Sequence, residues 1–349
     1  PADPGELPAD PGELPADPGE LPADPGELPA VLGDVLAADR AEPFRLDRPR
    51  PARWHWVDAG SAGRWLVWSH HHILVDGWSL PVVLEAVADA YATQDDPVRT
   101  PPAVGYAEYL RWLRRADREA DAAYWRQTLA DATSPARFSH GPAAAGHRTV
   151  SQRLAEPHTA RLARIAERHR VTLNTLVLSA WSVLLRRQNP KADVVFGVTM
   201  SLRPDELADV ERLVGLCLVT VPLRVPLTDG MDLPTLFGAV QDRLVDAYQH
   251  ARNPPRGLAD GLLDSVVVFE NYPGDRTGQR LGRHGRLRAV RSIEPTEFPI
   301  TLIVSPGAEL TFELTAAPAA LDAGAATAVL GNLVRLLERI ATALWEEPT

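Results

Sequence analysis

Polar and apolar residues alternate in two neighbouring runs, WHWVD at Trp54–Asp58 and RWLVWSH at Arg64–His70, with AGSAG between them. Period-two alternation of aromatic and β-branched residues around small turn residues predicts a hairpin. The period then changes. Val83, Leu84, Val87 and Tyr91 recur at helical spacing after Ser79, which is placed to cap the helix, and Pro81 is tolerated in a first turn. A second helical stretch is predicted through YAEYLRWLRR and on to DAAYWRQTLA, with Tyr106, Tyr109, Trp112 and Trp125 expected to pack on a core. The Pro-, Gly- and Ala-rich segment TSPARFSHGPAAAGH reads as a linker.

Beyond it the alternation resumes. HTARLARIAERHR, TLNTLVLSAWSVLLRR and the C-terminal AATAVLGNLVRLLERIATAL predict helices, and VVFGVTM, LCLVTVPLRV, LLDSVVVFENY, PITLIV and ELTFELT predict strands. Helices and strands on both sides of the linker imply a mixed α/β (α+β) protein of two lobes with a cleft between them. The expected divisions are a repeat over 1–30, an N-terminal lobe over 31–133, a linker over 134–148 and a C-terminal lobe over 149–349.

PADPGEL occurs four times without variation from Pro1 to Leu28. Two prolines and a glycine per unit exclude a continuous helix, and one leucine per unit is too little apolar surface to offset ordering entropy. Disorder is expected there. Each unit carries two acidic residues and no basic one, so eight of the ten net negative charges belong to the repeat. The remaining chain, at −2, is near neutral.

That charge balance argues against nucleic-acid binding, which needs clustered Lys and Arg. The densest basic segment, RLGRHGRLR at Arg280–Arg288, is short and interrupted by glycine, and is expected to be a solvated loop. No apolar run approaches the roughly 20 residues that span a bilayer. A cytoplasmic chain without membrane association is expected. The single cysteine, Cys217, lies in an apolar run and is expected to be a small buried hydrophobe.

The chemistry concentrates in SHHHILVDGWS, Ser69–Ser79. A zinc reading would combine His72 with Asp76, or add His70, but a zinc site needs three or four converging ligands and no second cluster of suitable spacing occurs. No metal is expected. A structural reading makes this a strand end with hydrogen-bonded histidines, a turn at Gly77 and a helix cap at Ser79. A catalytic reading uses an imidazole near neutral pKa, at the end of a rigid strand, to accept a proton from an amine or hydroxyl or to orient it. The combination His-His-x-x-x-Asp-Gly arises by chance on the order of once in a thousand chains of this length.

HHILVDGWS resembles the signature of the condensation domains of nonribosomal peptide synthetases, within the chloramphenicol-acetyltransferase-like superfamily. YAEYLRW is similar to the aromatic segment that follows the signature in that family. VTMSLRPDELADVERLVGLCLVTVPLRV is similar to its strand, Arg-Pro loop and second strand, and LLDSVVVFENYP to a later segment. SLRP stands where the family has Ser-Gly-Arg-Pro, and Val219 precedes Thr220 where the family has Asn-Thr. The resemblance runs from about Ala41 to the C-terminus. The family's opening motifs would fall where the repeat stands, so the N-terminal lobe is expected to be truncated.

The resemblance implies a tunnel between two lobes, with His72 facing it to position or deprotonate the acceptor amine as that attacks a donor thioester. It makes His71 and Asp76 structural, pairs Asp76 with Arg203, and gives Gly77 the turn and a close backbone approach. Trp78, Ser79, Ser201 and Thr220 are candidate tunnel-lining residues. No cofactor is bound directly. The substrates arrive on the phosphopantetheine arms of donor and acceptor peptidyl carrier proteins, beside an adenylation domain. The alternatives are an epimerization or ester-forming sibling and a degenerate remnant that only docks carrier proteins.

Overall fold

A computed structural model describes residues 29–49, 51–60, 63–92, 105–132, 138, 147–190, 194–255, 261–270, 280–281, 285–286 and 298–345. The PADPGEL repeat and most of the expected linker lie outside them. The chain divides into two compact units, Pro1–His71 and His72–Thr349.

In the first unit, helix α1 (Ala30–Ala41) precedes the hairpin of β1 (Ala52–Asp58) and β2 (Arg64–His70). The two strands pair antiparallel with Trp54 opposite Trp68 and Trp56 opposite Leu66. Trp54 and Trp68 stack at 4.8 Å between centroids. On the other face, Asp39 of α1 accepts from Arg53 Nε at 2.7 Å and lies 2.8 Å from His55 Nε2. The Arg53 hydrogen bond, followed by those of Ser69 and His55, holds the Asp39 carboxyl far below the usual carboxylate range, against the opposing effect of burial.

The second unit opens with α2 (Ser79–Ala92), α3 (Tyr106–Leu113) and α4 (Arg118–Thr128). The single long stretch predicted after α2 is in fact two helices. Asp117 accepts from the amides of Glu119 and Ala120, at 3.1 and 3.0 Å, and so starts a new helix where the pattern alone continues the old one. There follow β3 (Arg148–Leu154), α5 (Glu156–His169), α6 (Leu173–Gln188), β4 (Val194–Ser201), β5 (Leu218–Val225) and α7 (Leu233–Gln249). The chain closes with β6 (Ser265–Phe269), β7 (Arg280–Leu281), β8 (Gly285–Arg286), β9 (Ile300–Ser305), β10 (Leu310–Ala316) and α8 (Ala323–Ala343). Of these elements, α1, β3, α7, β7 and β8 are not among those the pattern predicts.

Six strands form one mixed sheet in the order β3-β10-β9-β6-β4-β5. The central strand β6 runs parallel to both β9 and β4, and the outer pairings are antiparallel. Burial follows position. The first five residues of β4 are buried on both faces, as expected beside a parallel neighbour, whereas β10 alternates. Gly197 of β4 fits because a Cβ there would lie 2.6 Å from Val266 of β6.

Helix α8 lays Val329, Leu330, Leu333, Leu337 and Ile340 into the core at spacings of three and four, and its amide at Ala325 is capped by Asp322 at 2.7 Å. Helix α6 is buried on nearly all sides, with Thr172 capping the Thr175 amide at 3.1 Å. The aromatic residues of α3 and α4 pack as expected. Tyr109 and Trp125 are buried with Leu202, Leu213, Cys217 and Val221, and Tyr106 and Trp112 lean against them.

One further correction concerns RLGRHGRLR. Arg280 and Leu281 pair antiparallel with Arg286 and Gly285, and β7 lies against α2, so these residues are short paired strands rather than loop.

Candidate functional site

Strand β2 stops at His70, and His71 follows it, its amide donating to the Pro51 carbonyl at 2.9 Å. His72 opens the second unit on an exposed turn. Four residues later the side chain becomes fully buried, at Asp76.

Asp76 organises the turn. Its Oδ1 accepts from the Ser79 amide at 3.0 Å, the Ser79 hydroxyl at 2.8 Å and Arg203 Nη2 at 2.9 Å. Its Oδ2 accepts from Arg203 Nη1 at 2.7 Å and the Cys217 amide at 2.9 Å. Five donors thus serve one carboxylate, which has about four lone-pair sites. Burial raises its pKa, but the bonds and charge of Arg203, with those of Cys217 and Ser79, outweigh burial and leave Asp76 below the usual range.

Arg203 carries the turn to the sheet. Beyond Asp76 it donates to the Leu213 carbonyl at 3.2 Å and to Ser201 Oγ at 3.3 Å, and its guanidinium carbon lies 5.7 Å from the Trp78 ring centroid. Ser201 ends β4, so the turn is fastened to the sheet edge shared with β5. Leu202 is buried and donates its amide to the Cys217 carbonyl at 2.7 Å, so the leucine of SLRP fills a core position.

Ser79 does not cap α2 with its hydroxyl. Asp76 already takes the first amide of that helix, and Ser79 Oγ turns to Gly215, accepting from its amide at 3.0 Å and reaching its carbonyl at 3.1 Å. Being fully buried, Ser79 lines no open surface. Gly77 lies in the turn, but among the described residues the glycines with positive φ are Gly60, Gly63, Gly230 and Gly261, so left-handed freedom is not what Gly77 supplies. A close approach is made at Gly215, where a Cβ would collide with the Tyr106 ring, whose hydroxyl donates to the Leu216 carbonyl at 2.8 Å. Gly215 and the Tyr106 hydroxyl were not predicted, although both fall inside the quoted motifs.

Thr220, half-buried on β5, lies opposite Thr199 with hydroxyl oxygens 3.0 Å apart. Burial pushes the Cys217 thiol up to about 11. In QHARNPP, His250 Nδ1 lies 2.8 Å from Asp121 Oδ1 and Asn253 donates to Asp121 Oδ2 at 2.6 Å, tying the end of α7 to α4. A cleft of about 390 Å³ beside this tie is lined by Arg118, Trp125, Arg252 and Asn253, and not by His72. Among the described residues no group of three His, Cys, Asp or Glu is arranged to hold a metal ion, and no helix is long and apolar enough to cross a membrane.

A mixed sheet flanked by helices, with the turn that follows His72 fastened to its edge, is the frame of the site. The solved structures agree on the fold. The X-domain from teicoplanin biosynthesis superposes with a TM-score of 0.77 at 23% identity, covering 89% of this chain and 76% of that one. The first condensation domain of the calcium-dependent antibiotic synthetase, in complex with a substrate analogue, gives 0.67 at 22% identity, covering 89% and 72%.

The model of the condensation domain family matches residues 31–346, and the chain belongs to that family. It is 31% identical over 325 residues to a linear gramicidin synthase of Brevibacillus parabrevis, covering 87% of this chain and 4% of that protein. It is 30% identical over 295 residues to surfactin synthase subunit 3 of Bacillus subtilis (strain 168), covering 79% and 23%. The chain therefore spans a small part of these relatives. Condensation domains of nonribosomal peptide synthetases are amide-bond-forming acyltransferases.

Proposed function

We propose that this chain joins a donor acyl or peptidyl thioester to the amine of an acceptor aminoacyl thioester, with His72 as the residue that acts on the acceptor amine. The acceptor nitrogen attacks the thioester carbonyl, the carbon–sulfur bond of the tetrahedral intermediate breaks, and the donor arm leaves as a thiol carrying the proton. No enzyme-bound acyl intermediate is needed. The expected contribution of the protein is proximity, plus a group that holds or takes the amine proton as it is released.

The observation that carries this reading is the turn itself. Asp76, saturated by five donors, holds the backbone between an exposed His72 and a buried Ser79. Asp76, Arg203 and His71 then act as supports, and His72 is the exposed group of the motif. Trp78 and Ser201 border the same anchor, and they and Thr220, on β5, are candidates for substrate contact. The partners are donor and acceptor peptidyl carrier proteins, whose phosphopantetheine arms are substrates, and an adjoining adenylation domain. A nonribosomal peptide synthetase of four domains is among the structural relatives.

Mass spectrometry of loaded donor and acceptor carrier proteins tests it. The acceptor-bound species is expected to gain the donor acyl group, and His72→Ala is expected to slow this by about a hundredfold or more. Product formed equally fast without the imidazole would remove His72 from its role. Inversion of the bound residue without a mass change would indicate epimerization. Carrier-protein binding without either product would indicate a docking module.

A further inference from the structure

The cleft of about 390 Å³ beside the Asp121 tie lies wholly within the second unit, and its walls come from two stretches of chain. Helix α4 supplies Arg118 and Trp125, and the segment just past α7 supplies Arg252, Asn253, Pro254 and Pro255. Two guanidinium groups thus face apolar walls, and no aspartate or glutamate is among the described lining residues.

Neither arginine has an ion-pair partner among the described residues. Arg252 is half-buried, with its guanidinium carbon 4.9 Å from the Trp112 ring centroid, a contact that orients the fork and leaves its charge in place. Arg118 stands exposed at the first position of α4. The carboxylate behind the cleft is already engaged. Asp121 is buried, accepts from Asn253 at 2.6 Å and lies 2.8 Å from His250 Nδ1. Burial, then Asp205 and Glu206, raise the pKa of the Tyr248 hydroxyl and Arg252 opposes them, but neither carboxylate pairs with Arg252.

We propose that this cleft binds an organic phosphate monoester, its phosphoryl group between Arg118 and Arg252 and its carbon body against Trp125, Pro254 and Pro255. Two guanidinium groups bring two charges and two forks of N–H donors. A phosphate monoester carries nearly two negative charges on three terminal oxygens near neutral pH and engages both forks, whereas a carboxylate carries one charge and fills one. The volume is that of a small-molecule site. His72 does not line this cleft, so the site is independent of the role proposed for that residue.

Calorimetric titration of the full 349-residue chain with phenyl phosphate, and with benzoate as a ring of single charge, tests the proposal. Saturable one-to-one binding of phenyl phosphate is expected, with benzoate weaker by about tenfold or more. Arg252→Gln and Arg118→Gln are each expected to weaken phenyl phosphate binding by about tenfold. Arg335→Gln removes the same charge from the exposed face of α8, where Arg335 donates to Asn332 at 2.6 Å, and is expected to leave binding unchanged. Removing a cation from a helix start does not weaken the helix, so Arg118→Gln serves as the test if circular dichroism shows Arg252→Gln unfolded. No saturation at millimolar phenyl phosphate, undiminished binding by Arg118→Gln, an equal loss in Arg335→Gln, or benzoate binding as tight as that of phenyl phosphate would each overturn it.

Discussion

Asp76 and Arg203 lie 127 positions apart in the chain and meet in two parallel N–H···O contacts, at 2.7 and 2.9 Å, with both side chains almost fully buried. The pair ties the turn that follows His72 to the sheet edge at β4 and β5. Its first consequence is energetic. A buried pair is costly to break because the survivor remains desolvated, so Arg203→Ala and Asp76→Ala are each expected to lower the unfolding free energy by about 3–5 kcal/mol. The double variant should lose less than the sum of the two, by about 1 kcal/mol or more. Chemical denaturation of the four proteins checks the cycle, and additive losses would deny the coupling.

The same pair sets an acid limb. The Asp76 pKa is lower folded than unfolded, so its contribution is present in full above the unfolded value of about 4 and is lost as pH falls through the lower folded value. Thermal melts between neutral pH and about pH 3 are expected to show stability falling with acid in the native protein. The fall should be smaller in Arg203→Ala, where the main support of the carboxylate is gone and burial raises its folded pKa back toward or above the unfolded value.

Gly215→Ala tests the packing that closes the anchor. The new methyl group would meet the Tyr106 ring, and overpacking of this kind costs about 1–3 kcal/mol. Tyr106→Ala in the same chain opens the space. The melting temperature is expected to fall in Gly215→Ala, and adding that methyl to the Tyr106→Ala background is expected to cost less.

Cys217 is fully buried, with its thiol pushed up to about 11, so it carries little thiolate near neutral pH. Iodoacetamide at pH 8, followed by intact-mass measurement, is expected to leave the native chain unmodified and to add one carbamidomethyl group once the chain is unfolded in urea. Rapid labelling of the native protein would contradict the burial.

Much of the architecture was legible because it is written in local periods. The alternation in Trp54–Asp58 and Arg64–His70 specifies a hairpin whichever partner lies beyond it, and the three-and-four spacing of Val329, Leu330, Leu333 and Leu337 specifies a helix with one apolar face. Helix α7 carried the same kind of signal, with Asp232 capping the Thr235 amide at 2.8 Å and Leu236, Phe237 and Val240 buried behind it. Strand β3 was harder to see. As an edge strand it buries only Leu154 fully, and its alternation is weak in RTVSQRL.

By itself the sequence determined most of the elements, the acidity concentrated in the repeat and the motif that singles out His72, since each depends on residues close together in the chain. The tertiary structure decided which groups complete that motif. Ser79 was a plausible helix cap by position, yet the carboxylate of Asp76 satisfies the helix amide first and frees the Ser79 hydroxyl for Gly215, 136 residues away. Gly77 was the obvious glycine of the turn, and the tertiary structure adds Gly215, because Tyr106 packs over it. A buried carboxylate takes the donors that folding brings within 3 Å, and no local period encodes which distant amide, hydroxyl or guanidinium those will be.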